Sequence, residues 1–127
     1  MSDQEKDTNR RIYDLEERTA IFGEKILNFA KTIKQNPINN PLINQIVRSG
    51  TSIGANYMEA DCADSKRDFR YRISICRKES KETKHWLRMI SIANPDKENE
   101  CSELLQEAHE LTLIFSAIIR TKNNRII

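Results

Sequence analysis

The sequence is poor in residues that bend, staple or stack a chain. Its 127 residues include three glycines, three prolines and three cysteines, and aromatics make up 6%. So little Pro and Gly excludes a collagen-like chain or a Pro/Gly-rich disordered one. Cys62, Cys76 and Cys101 are odd in number, widely spaced and form no C-x-x-C pair. That argues against a disulfide framework and for reduced thiols used as small apolar residues. Neither His85 nor His109 stands at zinc-ligand spacing from a cysteine, so no metal and no cofactor is expected. Long apolar runs are missing too. The longest span a few residues, such as 117–119, far short of the roughly 20 a membrane helix needs. The opening stretch, Met1 to Asp7, is polar and acidic and offers no apolar segment to a signal peptide. A cytoplasmic location with no membrane partner is the expectation. A large net charge is also lacking. Lys and Arg number 21 against 19 Asp and Glu, a formal net charge of +2, which announces no ligand by itself.

What remains is a chain punctuated at wide intervals, about one domain long. Asn36-Pro37-Ile38-Asn39-Asn40-Pro41 and Ala93-Asn94-Pro95-Asp96 are clear breaks. Ser65 with Asp68 three residues on resembles a capping box and marks a third. Asn40 is the expected N-cap of the second helix, with Pro41 in its first turn. The four segments between the breaks carry apolar residues at helical spacing. Examples are Phe22, Ile26 and Phe29; Ile46, Ile53 and Tyr57; Ile73, Cys76 and Leu87; Leu104, Leu111 and Phe115. The spacing predicts helices at about 12–35, 41–63, 66–93 and 96–122 in one domain. Short connections between long amphipathic helices imply an all-α, antiparallel up-down four-helix bundle. Residues 1–10 are expected to fray, and 121–127 to end the last helix in a basic tip.

The small net charge hides an asymmetry. Residues 66–88 hold nine bases and only the acids Asp68, Glu79 and Glu82. At about 100° per residue, every base there except Arg72 falls within about 120° of arc, facing away from the core stripe. Lys66, Arg67, Arg70, Arg77, Lys78, Lys81, Lys84 and Arg88 would form a ridge about 30 Å long. A ridge of that kind is an electrostatic footprint for a phosphate backbone. A solvated helix face is the plainer reading of the same pattern. The acids that normally intersperse such a face are missing from the arc.

The middle helices also show second stripes. In the second helix, Gly50 and Gly54 lie on the core side, where glycine costs roughly 1 kcal/mol against alanine unless a neighbour packs closely. Its other side carries Ser49, Ser52, Asn56 and Glu59, small or polar residues without the long charged fringe of a free surface. In the third helix, Ile75, Glu79, Glu82, Trp86 and Met89 form a stripe offset from the core. An exposed apolar series of this kind usually marks an interface. A second copy of the chain covering Asn56, Glu59, Ile75, Glu79, Glu82 and Trp86 is the expected explanation. The plainer alternative is that Trp86 covers the bundle's edge. Buried Asn56 and Glu59 would need partners, Arg72 among them.

These residues carry a resemblance. Ser52, Ala55, Asn56 and Glu59 fit S-x-x-A-N-x-x-E; Ser65, Asp68 and Phe69 fit S-x-x-D/E-F; Lys78, Glu79, Glu82, Thr83, Trp86 and Leu87 fit K-E-x-x-E-T-x-x-W-L. The chain resembles the small helical-bundle proteins encoded in intervening sequences of bacterial large-subunit ribosomal RNA genes. The resemblance implies an antiparallel four-helix bundle in a ring of five, with no assigned biochemical role. It is also similar to the accessory variability determinant of diversity-generating retroelements. That similarity implies a homopentamer able to associate with RNA or DNA and with a reverse transcriptase.

Catalytic readings find little. Glu82 and His85 form one Glu-x-x-His pair of the kind used in di-iron bundles, but no second pair exists. Glu59, Glu79 and Glu82 would converge on a metal only if the middle helices are adjacent; carboxylates holding Asn, Arg or Lys are the alternative. No nucleophile motif or phosphate-cradling glycine loop is present. The reading is a non-enzymatic bundle that engages nucleic acid, or a nucleic-acid enzyme such as a reverse transcriptase, through the ridge. A protein-interaction scaffold without nucleic acid is the alternative.

Overall fold

The computed structural model describes residues 15–126, with side chains through residue 121. The expected tail (1–10), the first helix's start at 12 and the side chains of the basic tip beyond 121 lie outside the described residues. Four helices follow in order: α1 (Leu15–Lys31), α2 (Asn39–Asp61), α3 (Lys66–Ala93) and α4 (Glu98–Ile126). A 3₁₀ turn, Pro95–Lys97, joins the last two. No strand occurs among the described residues, so the expected all-α class is found. No helix there is long and apolar enough to cross a membrane.

Local chemistry sets the helix ends. Ser65 caps α3 by accepting the Asp68 backbone N–H at 3.1 Å, satisfying one of the orphan donors of the first turn. The start of α2 differs from expectation. Asn40 is not its N-cap; the helix opens at Asn39. The N-cap position is Ile38, whose side chain caps nothing; Asn36, two residues earlier, accepts the N–H groups of Ile38 at 3.0 Å and Asn39 at 2.7 Å through its Oδ1. Asn40 instead accepts the N–H of Asn36. The first helix also closes at Lys31 rather than near 35. Thr32 and Ile33 bond back to Phe29 and Ala30 in three-residue steps, the tightened turn that ends many helices.

The core is one apolar cluster fed by all four helices. Ile26, Ile46, Ile53, Ile73, Leu87, Leu111 and Phe115 are fully sealed, each contributing about 1.5–3 kcal/mol by burial. The hydroxyls of Thr19, Ser80, Thr83 and Thr112 are buried but bond to carbonyls one turn back in their own helices. Glycine permits the α1–α2 contact. A Cβ on Gly50 would sit 2.9 Å from two side-chain carbons of Ile26. At the start of α2, Asn39 exchanges two 2.9 Å amide hydrogen bonds with Asn94, pinning it to the end of α3. The helices pack most closely in sequence order, and α1 meets α4 only thinly.

Candidate nucleic-acid interface

Helix α3 packs against α2 on one side and α4 on the other. The contacts with α2 fix its rotation. The Thr83 and Ser49 hydroxyls are hydrogen-bonded at 2.9 Å, Cys76 Sγ lies 3.5 Å from the Ile53 carbonyl, and Arg72 donates to Asn56 Oδ1 at 3.3 Å. With that side against α2, the ridge turns toward solvent on the α4 side. Lys66, Arg67, Lys78, Lys81 and Arg88 are exposed; Arg70, Arg77 and Lys84 are half-buried. The structure brings all eight to one surface of one rigid helix.

Their partners are few. Lys84 donates to His109 Nδ1 of α4 at 3.0 Å. The other seven ridge cations have no hydrogen-bond or ion-pair partner among the described residues. Two acids of α3, Glu79 and Glu82, are committed elsewhere. Arg48 of α2 holds Glu79 at 3.2 Å and is paired with Glu82 as well. Ser52 adds a hydrogen bond to Glu79 at 3.2 Å. Acids of α4 are turned to α1: Arg18 bonds Glu107 at 2.7 Å and Glu110 at 3.0 Å. The Arg18 hydrogen bond holds the Glu107 carboxyl below its usual range, against the opposing effect of burial.

Several of the expected interface residues already have partners within the chain. Glu79 is buried, but by its own chain, with Arg48 and Ser52 as partners. Ser49 is sealed under Thr83. The polar face of α2 is therefore covered in part by α3. Asn56 finds Arg72, the partner named for it from sequence, and Glu59 is exposed. Ile75 and Trp86 remain half-buried. The Trp86 ring stands edge-on to His85, centroids 4.9 Å apart, and its indole N–H has no acceptor among the described residues.

Three residues were missed from sequence. Arg48 neutralises two of the three carboxylates of α3, Glu79 and Glu82; its place one turn before Ser52 on the polar face of α2 was the available signal. His109 extends the ridge onto α4. Tyr71 is 60% exposed beside Arg72, an aromatic bordering the ridge. The histidines and carboxylates do not converge: no group of three His, Cys, Asp or Glu among the described residues could hold a metal ion.

Comparisons with known proteins agree with this architecture. The crystal structure of a protein of unknown function from the S23 ribosomal protein family of Bacteroides thetaiotaomicron VPI-5482 is similar to this chain. The two are 30% identical, with a TM-score of 0.72, over 82% of this chain and 96% of that one. No curated protein matches. Residues 13–117 match the 23S rRNA-intervening sequence protein family, and the chain belongs to that family.

Proposed function

We propose that the chain is a non-catalytic, homo-oligomeric bundle with an antiparallel up-down layout that binds RNA or DNA backbone through the α3 ridge. One observation carries the reading. Seven cations on one rigid helix stand unpartnered among the described residues, while the nearby carboxylates Glu79, Glu82, Glu107 and Glu110 are held by Arg48 and Arg18. Ordinary solvated faces mix their signs; this one concentrates one sign, the arrangement that attracts phosphate. The register of α2 against α3 supports the layout: Arg48 meets Glu79 and Glu82, while Asn56 meets Arg72. As α2 advances, α3 retreats.

The non-catalytic reading draws on the same pairs. Glu79 and Glu82 are occupied by a guanidinium, and His85 leans on Trp86. A cytoplasmic enzyme already holding nucleic acid, such as a reverse transcriptase, is the class of protein partner such a ridge would reach, by sharing the strand.

The test is fluorescence anisotropy with a labelled RNA duplex across a salt series. Wild type binds at low salt and releases as salt rises. The triple variant Lys81→Glu, Lys84→Glu, Arg88→Glu binds at least about tenfold more weakly. Equal binding by the triple variant, or binding indifferent to salt, refutes the reading and leaves the protein-scaffold alternative.

A further inference from the structure

A groove of about 420 Å³ opens on the outer side of the α1–α2 seam, away from the ridge. Its floor is made of small residues, Ala20, Gly23, Thr51 and Gly54. The helices come close there: a Cβ on Gly23 would lie 3.7 Å from Thr51 Cα, and one on Gly54 3.3 Å from Thr19 Oγ1. Two large apolar side chains border it in the open, Leu27 at 42% and Met58 at 56% exposure. Its rim is acidic, from Glu16, Glu17 and Glu24. An apolar trough with a negative rim fits an amphipathic helix with a cationic flank.

The same chain displays one. On α3, Tyr71, Ile75, Lys78, Glu82, Trp86 and Met89 recur every three or four residues, the spacing of a helix laid into a groove. Tyr71 is exposed, and Ile75, Trp86 and Met89 are half-exposed. Glu82, the acid within this stripe, is neutralised by Arg48. Lys78 carries a free positive charge, and Arg67 stands beside Tyr71 on the ridge side. Stripe and groove are complementary in both apolarity and sign.

We propose that the groove's occupant is the outer α3 stripe of a second copy. This rests on the homo-oligomeric part of the function proposed above and names its two faces. Because those faces differ, the contact is heterologous. Each copy gives its stripe to one neighbour and its groove to another, and the chain of contacts closes into a ring or runs on as a filament. Arg77, Lys81, Lys84 and Arg88, on the arc facing away from the stripe, stay free for phosphate.

Charge exchange tests the pairing. The groove variant is Glu24→Lys with Met58→Lys; the stripe variant is Tyr71→Glu with Lys78→Glu. All four positions are exposed, and circular dichroism verifies that helix content is kept. Light scattering on wild type gives a mass several times the 14.8 kDa chain. Each variant alone falls to one chain. Mixed in equal amounts they regain mass, because each contact between unlike copies again pairs opposite signs. Variants that keep the wild-type mass overturn the proposal and leave the groove to another protein's helix. Variants that each dissociate but stay apart when mixed show that stripe and groove do not meet, which also overturns it. A monomeric wild type overturns both this pairing and the homo-oligomeric reading, and so is distinguishable from failure of the pairing alone.

Discussion

Replacing Gly23 and Gly50 with alanine, one at a time, should move stability in opposite directions. Both glycines are buried in helix interiors where α1 crosses α2. Alanine in a helix is favoured over glycine by about 1 kcal/mol, because the unfolded chain loses less freedom. At position 23 the new methyl meets its nearest neighbour at 3.7 Å, an ordinary contact, so the gain of about 1 kcal/mol survives. At position 50 it would lie 2.9 Å from both Cγ1 and Cγ2 of Ile26 and 3.2 Å from its Cβ. Ile26 is fully buried and has no free space to enter. Forcing one methyl into a packed core costs about 1–3 kcal/mol, which outweighs the propensity gain. Gly50→Ala is therefore expected to lose about 1 kcal/mol net, and the two variants should differ by about 2 kcal/mol. Urea unfolding followed by circular dichroism and by Trp86 fluorescence measures both. Chain concentration must be held constant, because assembly would contribute to apparent stability. Equal shifts of the same sign would show that propensity alone governs both positions and that α1 and α2 are not this close.

Other perturbations follow from particular pairs. Cys76 lies buried under Ile53 and its thiol is pushed up to about 12 by burial; Cys101 is likewise raised to about 11. A thiol reagent at neutral pH should modify Cys62 alone in the native protein and all three cysteines after denaturation. Glu107 is held below its ordinary value of 4.5 by the Arg18 hydrogen bond. A depressed carboxyl stabilises the fold above its unfolded value and loses that contribution as pH falls through the lower folded value. Arg18→Met should thus destabilise at pH 6 and flatten the loss of stability below about pH 4.5, read by melts at stepped pH. Asn94→Ala leaves the buried Asn39 amide without its cross-helix partner; a loss of about 1–3 kcal/mol in urea melts is expected.

Much of the fold is legible because helical periodicity is long and the breaks are sharp. Phe22, Ile26, Ile73, Leu87, Leu111 and Phe115 stand in the core as their spacing required, and Ser65 caps α3 as its motif indicated. The α2 cap was misread because Asn36, Asn39 and Asn40 are chemically equivalent candidates. Only the loop's path decides that Asn36 reaches the free N–H groups. The arc of the ridge could be computed from helix geometry, but its freedom from partners could not. That depended on which carboxylates Arg18 and Arg48 reach from other helices. The same limit explains Glu79. Sequence placed it on a covered stripe, and a helical wheel cannot say whether the cover comes from its own chain.

The ridge's effect on a ligand depends on spacing as much as on count. Arg77, Lys81, Lys84 and Arg88 follow one another every three or four residues, about 4.5–6 Å along the axis. That is shorter than the screening length of about 8 Å at physiological salt, so neighbouring cations reinforce one another's field. The acids of α3 do not cancel this field: Asp68 sits in the first turn, beside the helix's positive end, and Glu79 and Glu82 answer Arg48. If the ridge contacts a duplex backbone, each cation that meets a phosphate should add about 0.9 to the slope of log affinity against log salt. Reversing Lys81, Lys84 and Arg88 together should then lower that slope by about 3. A diffuse electrostatic attraction would weaken in the triple variant without so large a change in slope. A slope that stays at the wild-type value while affinity falls would place the phosphate contacts somewhere other than the Arg77–Arg88 stretch.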